Sequence, residues 1–170
     1  MGDGHHTKRL SLDTNVLLNL AAGYSFAVDF RKEFQRRHYA LLVVPAVLME
    51  LNHLSTKGND TQRERASKAL DSLLEWEITP AILTDIEKEY RKNFMAYVEA
   101  RKILPRNEIN DARILADSGI ARLPVLVTSD KGLLNTDQVA LSLAFEDAGL
   151  CAVTPAHPEK LYKALSKGLS

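Results

Sequence analysis

The segment LSLDTNVLL, residues 10–18, sets an acid between two apolar runs. Leu10–Leu12 is strand-sized and the pattern that starts at Val16 is helical, so Asp13 stands at the turn from a strand into a helix. An Asp in this place is most often a helix N-cap. The carboxyl end of a strand is also where open α/β sheets bind their ligands. The segment therefore predicts a βα unit whose turn carries either a cap or a site residue.

Strand-sized apolar runs alternate with longer amphipathic patterns along the chain. Besides Leu10–Leu12, these runs are 40–44, 78–82, 125–128 and 151–154. Two of the intervening helices are predicted to begin with capping boxes, Thr61-x-x-Glu64 and Thr84-x-x-Glu87. Alternation of strands and helices favours parallel pairing with helices on both faces of the sheet. We predict an α/β fold: a three-layer α/β/α sandwich with a central, mostly parallel sheet of four or five strands.

The length of the chain favours one domain. Its 170 residues are expected to form a single domain over 8–167, preceded by residues 1–7 as a flexible N-terminus or a leftover of cloning. Residues 55–107 hold two long helical patterns around one short apolar run, and are the expected elaboration of the common core.

Charge, cysteine content and hydropathy exclude several classes of protein. Lys plus Arg and Asp plus Glu both number 22, so bulk positive charge cannot hold a nucleic acid. A single cysteine, Cys151, excludes an internal disulfide and a Cys-rich zinc site, and fits a cytoplasmic protein. The longest apolar run, 39–49, has eleven residues and is too short to span a membrane.

Three further acids occupy unusual positions. Glu50 lies among apolar positions of its predicted helix, where an ionised carboxylate is costly unless it is paired or binds a cation. Asp130 follows the run at 125–128, and Asp111 stands beside the apolar stripe in the first turn of a helix. Each has an ordinary explanation when taken singly: a salt bridge, an N-cap or an interaction with the helix dipole. With the first acid they form an acidic quartet: Asp13, Glu50, Asp111 and Asp130.

The acidic quartet is harder to explain as a group. Carboxylates that converge without matching bases repel one another, and a hard divalent cation with oxygen ligands relieves that repulsion. The histidines His38, His53 and His157 are scattered, so no His/Cys set competes as a metal site. The pattern therefore predicts a site for a hard divalent cation at the carboxyl edge of the sheet.

Four motifs, in order, resemble those of the PIN domain family: LDTNVLL at 12–18, PAVLMEL at 45–51, NDA at 110–112 and VTSD at 127–130. The resemblance covers nearly the whole chain, and it implies the family's fold and a metal-dependent nuclease. Many bacterial and archaeal members are VapC-type toxins that cut RNA. The catalytic and metal-binding residues that the resemblance implies are Asp13, Glu50, Asp111 and Asp130, with Asn15 and Thr128 holding their geometry.

The sequence departs from the family pattern at one position. Many members have T-x-D-x-D after the fourth strand, whereas here Gly132 stands at the second acidic position. Asp137 comes five residues later and is interpreted as a helix-start residue.

Other readings of the same residues fit less well. A haloacid-dehalogenase-type phosphatase needs D-x-D after the first strand, and Asn15 replaces the second Asp. A response-regulator receiver needs an acidic pair after the first strand and a Lys after the last, and Cys151–Pro155 contains no Lys. The remaining alternative is a catalytically silent member of the fold that binds RNA or a partner protein.

The function expected from this resemblance is a metal-dependent endoribonuclease that hydrolyses single-stranded RNA with Mg²⁺ or Mn²⁺ as cofactor. Its expected partners are the RNA substrate, a cognate antitoxin protein if the chain is the toxin of a toxin–antitoxin pair, and a second copy in a homodimer. Leu73 and Trp76 are the apolar residues expected to contribute to that interface.

Overall fold

The computed structural model describes residues 8–105 and 107–167. The strands of this part of the chain are β1 (Arg9–Leu12), β2 (Ala40–Val43), β3 (Ile78–Pro80), β4 (Val125–Val127) and β5 (Thr154–Ala156). They form one sheet of five strands in the order β3-β2-β1-β4-β5, and every pair is parallel. The strand order reverses at β1, which pairs with β2 on one side and β4 on the other, and this is the place where such sheets bind ligands.

Helices connect and cover these strands. They are α1 (Thr14–Ala21), α2 (Ser25–Arg36), α3 (Pro45–Lys57), α4 (Asp60–Ser72), α5 (Asp85–Ala100), α6 (Ile109–Ile120), α7 (Lys131–Leu134), α8 (Gln138–Asp147) and α9 (Pro158–Lys167). Helix α3 packs against α4 and α6, α5 packs against α6 and α8, and α2 packs against α9. The predicted α/β/α sandwich with a parallel central sheet is confirmed. No helix in residues 8–105 or 107–167 combines the length and apolar character needed to cross a membrane.

Two strands end where the apolar pattern did not predict. Strand β3 stops at Pro80 rather than at Ile82, whose side chain is 91% exposed. The prediction of a strand at 151–154 is wrong in position, because β5 runs from Thr154 to Ala156. It includes Pro155, which lies opposite Leu126. Proline is tolerated there because β5 is an edge strand that has one neighbour and one unpaired side.

The cap of α4 also differs from the prediction. Asn59 is the N-cap: its side chain accepts a bond from the Gln62 backbone N–H at 2.8 Å, and the Gln62 side chain accepts from the Asn59 N–H at 3.0 Å. The N-cap therefore lies two residues before Thr61 and the helix begins at Asp60, because an Asn and a Gln form the same reciprocal box as Thr and Glu. The predicted N-cap of α5 is confirmed, since Thr84 accepts from the Glu87 N–H at 3.2 Å.

The core is apolar and joins the sheet to the helices on both sides. The strands contribute fully buried side chains such as Leu12, Leu41 and Leu126. Phe94 of α5 stacks on Phe145 of α8 with ring centroids 4.3 Å apart, and both are fully buried. Burial of a large apolar side chain stabilises the fold by roughly 1.5–3 kcal/mol, so these contacts fix α5 against α8.

One buried ion pair joins three helices near the carboxyl edge of the sheet. Asp117 of α6 is fully buried and pairs with Arg91 of α5 at 2.6 Å. Its second oxygen accepts the backbone N–H of Ala46, in the first turn of α3, at 2.9 Å. Burial raises the pKa of Asp117 although the Arg91 charge opposes that rise. The pair fixes α6 relative to α3 and α5.

Of the two residues expected at a dimer interface, Leu73 is buried in its own chain and Trp76 is partly buried. Leu73 is 8% exposed and belongs to the core of its own chain, and Trp76 packs against the same core. Leu74, the residue after Leu73, has a side chain that is 90% exposed. Residues 1–7, expected to be a flexible N-terminus, lie outside the described part of the chain.

Candidate functional site

The site lies where β1 and β4 end side by side. Leu12 pairs with Val127 in the sheet, and the Asp13 N–H donates to the Val127 carbonyl at 2.9 Å. Because the two strands are parallel and in register, the residues that follow them emerge at the same edge. This brings Asp13 next to Thr128 although 115 positions separate them in the chain.

Asp13 is 3% exposed and is held by three donors. Its Oδ1 accepts the Thr14 N–H at 2.8 Å, and its Oδ2 accepts the Thr128 hydroxyl at 2.7 Å and the Asn15 amide at 3.2 Å. Burial raises its pKa from 3.8 to about 6 and outweighs the hydrogen bonds from Thr128 and Thr14, which lower it; the charges of Glu50 and Asp130 raise it further. The residue is thus an N-cap and also a buried acid among other acids.

Asn15 and Thr128 hold the loop after β4 against Asp13. The Thr128 hydroxyl donates to Asp13 and accepts from the Asp130 N–H at 3.0 Å and the Asn15 amide at 3.3 Å. The Asn15 side-chain oxygen accepts the Ser129 N–H at 3.2 Å. The buried Thr128 hydroxyl therefore orients both the carboxylate of Asp13 and the backbone of Asp130.

A cluster of three carboxylates lies beside this network. One oxygen from each of Glu108, Asp111 and Asp130 lies within 4.8 Å of the others. Asp130 is also the N-cap of α7, where its Oδ1 accepts the Leu133 N–H at 3.0 Å. Asp111 lies in the first turn of α6. We call these three residues the carboxylate cluster.

The pKa of Asp111 is raised well above its ordinary value of 3.8. Burial is the largest cause, followed by a hydrogen bond that its protonated form makes with Glu108. The charges of Asp13, Asp130 and Glu108 act in the same direction. Three different acids thus oppose ionisation of this carboxyl, as expected where carboxylates converge without a cation.

Glu50 approaches the same edge from α3. Its side chain is half-buried, and its Oε2 accepts the hydroxyl of Thr14 at 2.8 Å. No Lys, Arg or His of residues 8–105 and 107–167 forms an ion pair with it, so the salt bridge considered from the sequence is absent from this part of the chain. Glu50 contributes to the raised pKa of Asp13. It does not belong to the carboxylate cluster.

Sequence reasoning missed Glu108. It stands in the turn before α6, where its N–H donates to the Pro105 carbonyl at 3.0 Å. The signal that was available is its spacing: Glu108 and Asp111 are three residues apart, which places them on the same side of the first helical turn.

The residues present fit a hard divalent cation. The donors are carboxylate oxygens, which suit Mg²⁺ and Mn²⁺. When Asp111 and Glu108 are both ionised, Glu108 Oε2 is buried and has no hydrogen-bond partner within the described ranges. A buried carboxylate oxygen is costly without a partner, and a cation at the carboxylate cluster supplies one.

Comparison with known proteins is consistent with this geometry. The chain is similar to a chain in the crystal structure of VapBC2 from Rickettsia felis bound to a DNA fragment from their promoter. The two share 15% identity with a TM-score of 0.59, over 88% of this chain and 98% of that one. A search of curated proteins found no match. The family model described as PIN domain matches residues 10–139, and the chain therefore belongs to the PIN domain family.

Proposed function

We propose that the protein is a metal-dependent endoribonuclease that hydrolyses phosphodiester bonds of single-stranded RNA. The observation that carries this proposal is the meeting of Asp13, Asp111 and Asp130 at one sheet edge, with Glu50 held beside them through Thr14. PIN domains are generally nucleases, and acids in this arrangement suit phosphodiester hydrolysis with divalent cations.

Each acid has a distinct part in this proposal. Asp13, Asp111 and Asp130 would hold Mg²⁺ or Mn²⁺, and Glu50 would hold a second ion or orient the attacking water. The ion, when bound, lowers the pKa of water and stabilises the charge that develops on the phosphate oxygens. The Thr128 hydroxyl fixes Asp13 Oδ2, and the Thr14 hydroxyl fixes Glu50 Oε2. Attack by water leaves a 5′-phosphate and does not use the RNA 2′-hydroxyl.

A groove beside the carboxylate cluster supports a polynucleotide substrate. It has a volume of about 1180 Å³ and runs between α5 and α6, where Glu108 forms part of its wall. Apolar side chains such as Met95 and Ile103 line it together with Lys102 and Arg113. Apolar surface suits unpaired bases and cations suit phosphates, which is the combination that single-stranded nucleic acid requires.

The test of catalysis is cleavage of a labelled single-stranded RNA by purified protein. We expect cleavage with Mg²⁺ or Mn²⁺, none with EDTA, and at least about a 100-fold loss in Asp13→Asn. Asp137→Asn is the matched control: Asp137 caps α8 through the N–H groups of Val139 and Ala140, and Asn preserves a cap. If wild type and Asp13→Asn cleaved RNA at equal rates and the protein bound no metal, the nuclease proposal would be refuted in favour of a catalytically silent binding module.

The substrate class has its own test. Lys102→Glu and Arg113→Glu should weaken RNA binding and reduce its dependence on salt, because each removes a phosphate contact. Lys167 lies outside the groove, so Lys167→Glu should change neither quantity. If RNA binding were unchanged in both Lys102→Glu and Arg113→Glu, the RNA would bind at a surface other than this groove.

We further propose the toxin role. The structural relative named above is a VapBC2 assembly with promoter DNA, which supports a cognate antitoxin as partner and a cytoplasmic setting for this chain. Expression of the chain alone should arrest growth, and expression with the product of an adjacent reading frame should relieve the arrest and give a co-purifying complex. Growth that is unaffected by the active enzyme would favour an RNA-processing role.

Self-association belongs to the same proposal. We expect a homodimer through a surface other than the buried Leu73, and light scattering at micromolar concentration should give twice the mass of one chain. The mass of a single chain would contradict it.

A further inference from the structure

Glu108 occupies the N-cap position of α6 without capping it. Its φ and ψ are −106° and 43°, and its side chain makes no bond to the N–H groups of the first turn. Glutamate is in any case a poor substitute for the Ser, Thr, Asp and Asn that usually fill this position. The carboxylate turns instead toward Asp111 and Asp130, where its Oε2 is buried without a hydrogen-bond partner in the described chain.

Gly132 leaves the space that this carboxylate fills. A Cβ at residue 132 would lie 3.1 Å and 3.2 Å from the two oxygens of Glu108 and 3.0 Å from Asp130 Oδ1. Such distances are tighter than most Cβ contacts, so a Cβ at residue 132 would require Glu108 and Asp130 to shift by a few tenths of an ångström, and a larger side chain would compete with them for this space.

The backbone does not explain the glycine. Gly132 lies in α7 with helical geometry and no positive φ, a conformation that alanine adopts more favourably by roughly 1 kcal/mol. The close approach of the Glu108 and Asp130 carboxylates is the contact that disfavours a Cβ at this position. It is also at this position that the T-x-D-x-D pattern loses its second acid.

We propose that Glu108 is a direct ligand of the divalent cation and replaces, from the start of α6, the carboxylate that residue 132 lacks. This inference rests on the proposed metal-dependent function and names a fifth acid for it. Mg²⁺ binds oxygens at about 2.0–2.1 Å, so two ligands on opposite sides of one ion lie about 4 Å apart. Adjacent ligands of the same octahedral ion lie about 3 Å apart. The oxygens of the carboxylate cluster lie within 4.8 Å of one another, so binding one ion requires them to close by at most about 2 Å.

The experiment measures Mn²⁺ binding to the purified full chain by isothermal titration calorimetry. We expect Glu108→Gln to weaken the affinity at least about tenfold, because loss of even an outer partner of a metal ligand costs that much. Glu146→Gln, an exposed glutamate on α8, is the control and should bind as wild type does. The melting temperature without metal should be the same or higher in Glu108→Gln, since one of the repelling charges is gone.

A carboxylate exchange makes the test specific. Gly132→Asp alone should bind Mn²⁺ more weakly than wild type, because its side chain competes with Glu108 for the same space. Glu108→Ala with Gly132→Asp returns one carboxylate to the vacated space and should bind within about threefold of wild type. This recovery separates a missing ligand from a damaged fold.

The outcomes distinguish this inference from the proposed function. Wild-type affinity in Glu108→Gln, together with lost binding in Asp130→Asn, overturns the role of Glu108 and leaves the metal-dependent nuclease standing. A double variant that binds no better than Glu108→Gln also overturns it. A wild-type chain that binds no Mn²⁺ overturns both.

Discussion

Asp13→Asn should stabilise the metal-free protein at neutral pH. The pKa of Asp13 is 3.8 when unfolded and about 6 in the folded chain, so the folded state binds more protons between these values. Stability therefore falls as the pH rises through this window, and the loss is complete above about pH 7. A pKa difference of about 2 corresponds to about 3 kcal/mol.

The Asn side chain in Asp13→Asn carries no charge and so removes this loss of stability, and its own cost in free energy of unfolding is smaller. Asn at residue 13 keeps one oxygen for the Thr14 N–H, and its NH₂ group takes the place of Oδ2. The Thr128 hydroxyl, which donates to Oδ2, can turn to accept from this NH₂ group, but the Asn15 amide is a donor and loses its acceptor. One hydrogen bond to a charged group is lost, which costs roughly 1.5 kcal/mol. The net gain at pH 7.5 is about 1–2 kcal/mol, equivalent to a rise of roughly 2–8 °C in melting temperature for a chain of this size. Near pH 5 the gain should be about zero.

The assay is urea unfolding in EDTA at several values between pH 5 and pH 8, repeated with Mn²⁺. Saturating Mn²⁺ at 100 times its Kd stabilises the wild type by about 2.7 kcal/mol and should reverse the order of the two proteins. Asp137→Asn, which keeps the N-cap of α8, is measured beside Asp13→Asn as the control. A loss of stability in Asp13→Asn that is the same at pH 5 and pH 8 would refute the repulsion and burial argued for this site.

Two further predictions concern the framework around the site. Arg91→Ala leaves the buried Asp117 carboxylate without its cation, and urea unfolding should show a free energy of unfolding lower by about 3–5 kcal/mol. The control is Lys92→Ala on the exposed face of α5, which should change the free energy of unfolding by under about 0.5 kcal/mol. A small effect of Arg91→Ala would mean that water reaches Asp117. Gly119→Ala should lower the melting temperature although alanine is the better helix former, because its Cβ would lie 2.9 Å from the Cys151 carbonyl; an unchanged or higher value would contradict the packing of α6 described here.

The sequence predicted the parts of the site that depend on local order along the chain. An acid directly after a buried parallel strand emerges at the carboxyl edge whatever the rest of the fold does, which is why Asp13 and Asp130 could be placed in advance. Thr128 and Asn15 were expected only from the resemblance to the PIN domain motifs, since neither residue is an acid that follows a strand.

Features that depend on how distant elements of the chain pack against one another could not be predicted in this way. Glu108 follows a turn rather than a strand, and only the approach of α7 gives its carboxylate a place beside Asp130. Leu73 and Leu74 are adjacent apolar residues in the sequence, yet one is 8% and the other 90% exposed, because helical periodicity does not tell which face a neighbouring helix covers. The position of β5 depended on Pro155 being tolerated at an edge, which hydropathy does not reveal.

The 115 positions between Asp13 and Thr128 also set the order of events while the chain is being made. The ribosome releases the first acid early, but the hydroxyl that orients it and the strand that pairs with β1 emerge only after residues 125–128. At about 5–20 residues per second, the gap lasts roughly 6–23 s. Throughout that interval the nascent chain carries its acids without the geometry that brings them together. A nascent chain that stops before β4 therefore lacks both the strand that pairs with β1 and the hydroxyl that orients Asp13, so the site is assembled only after Asp130 has been made.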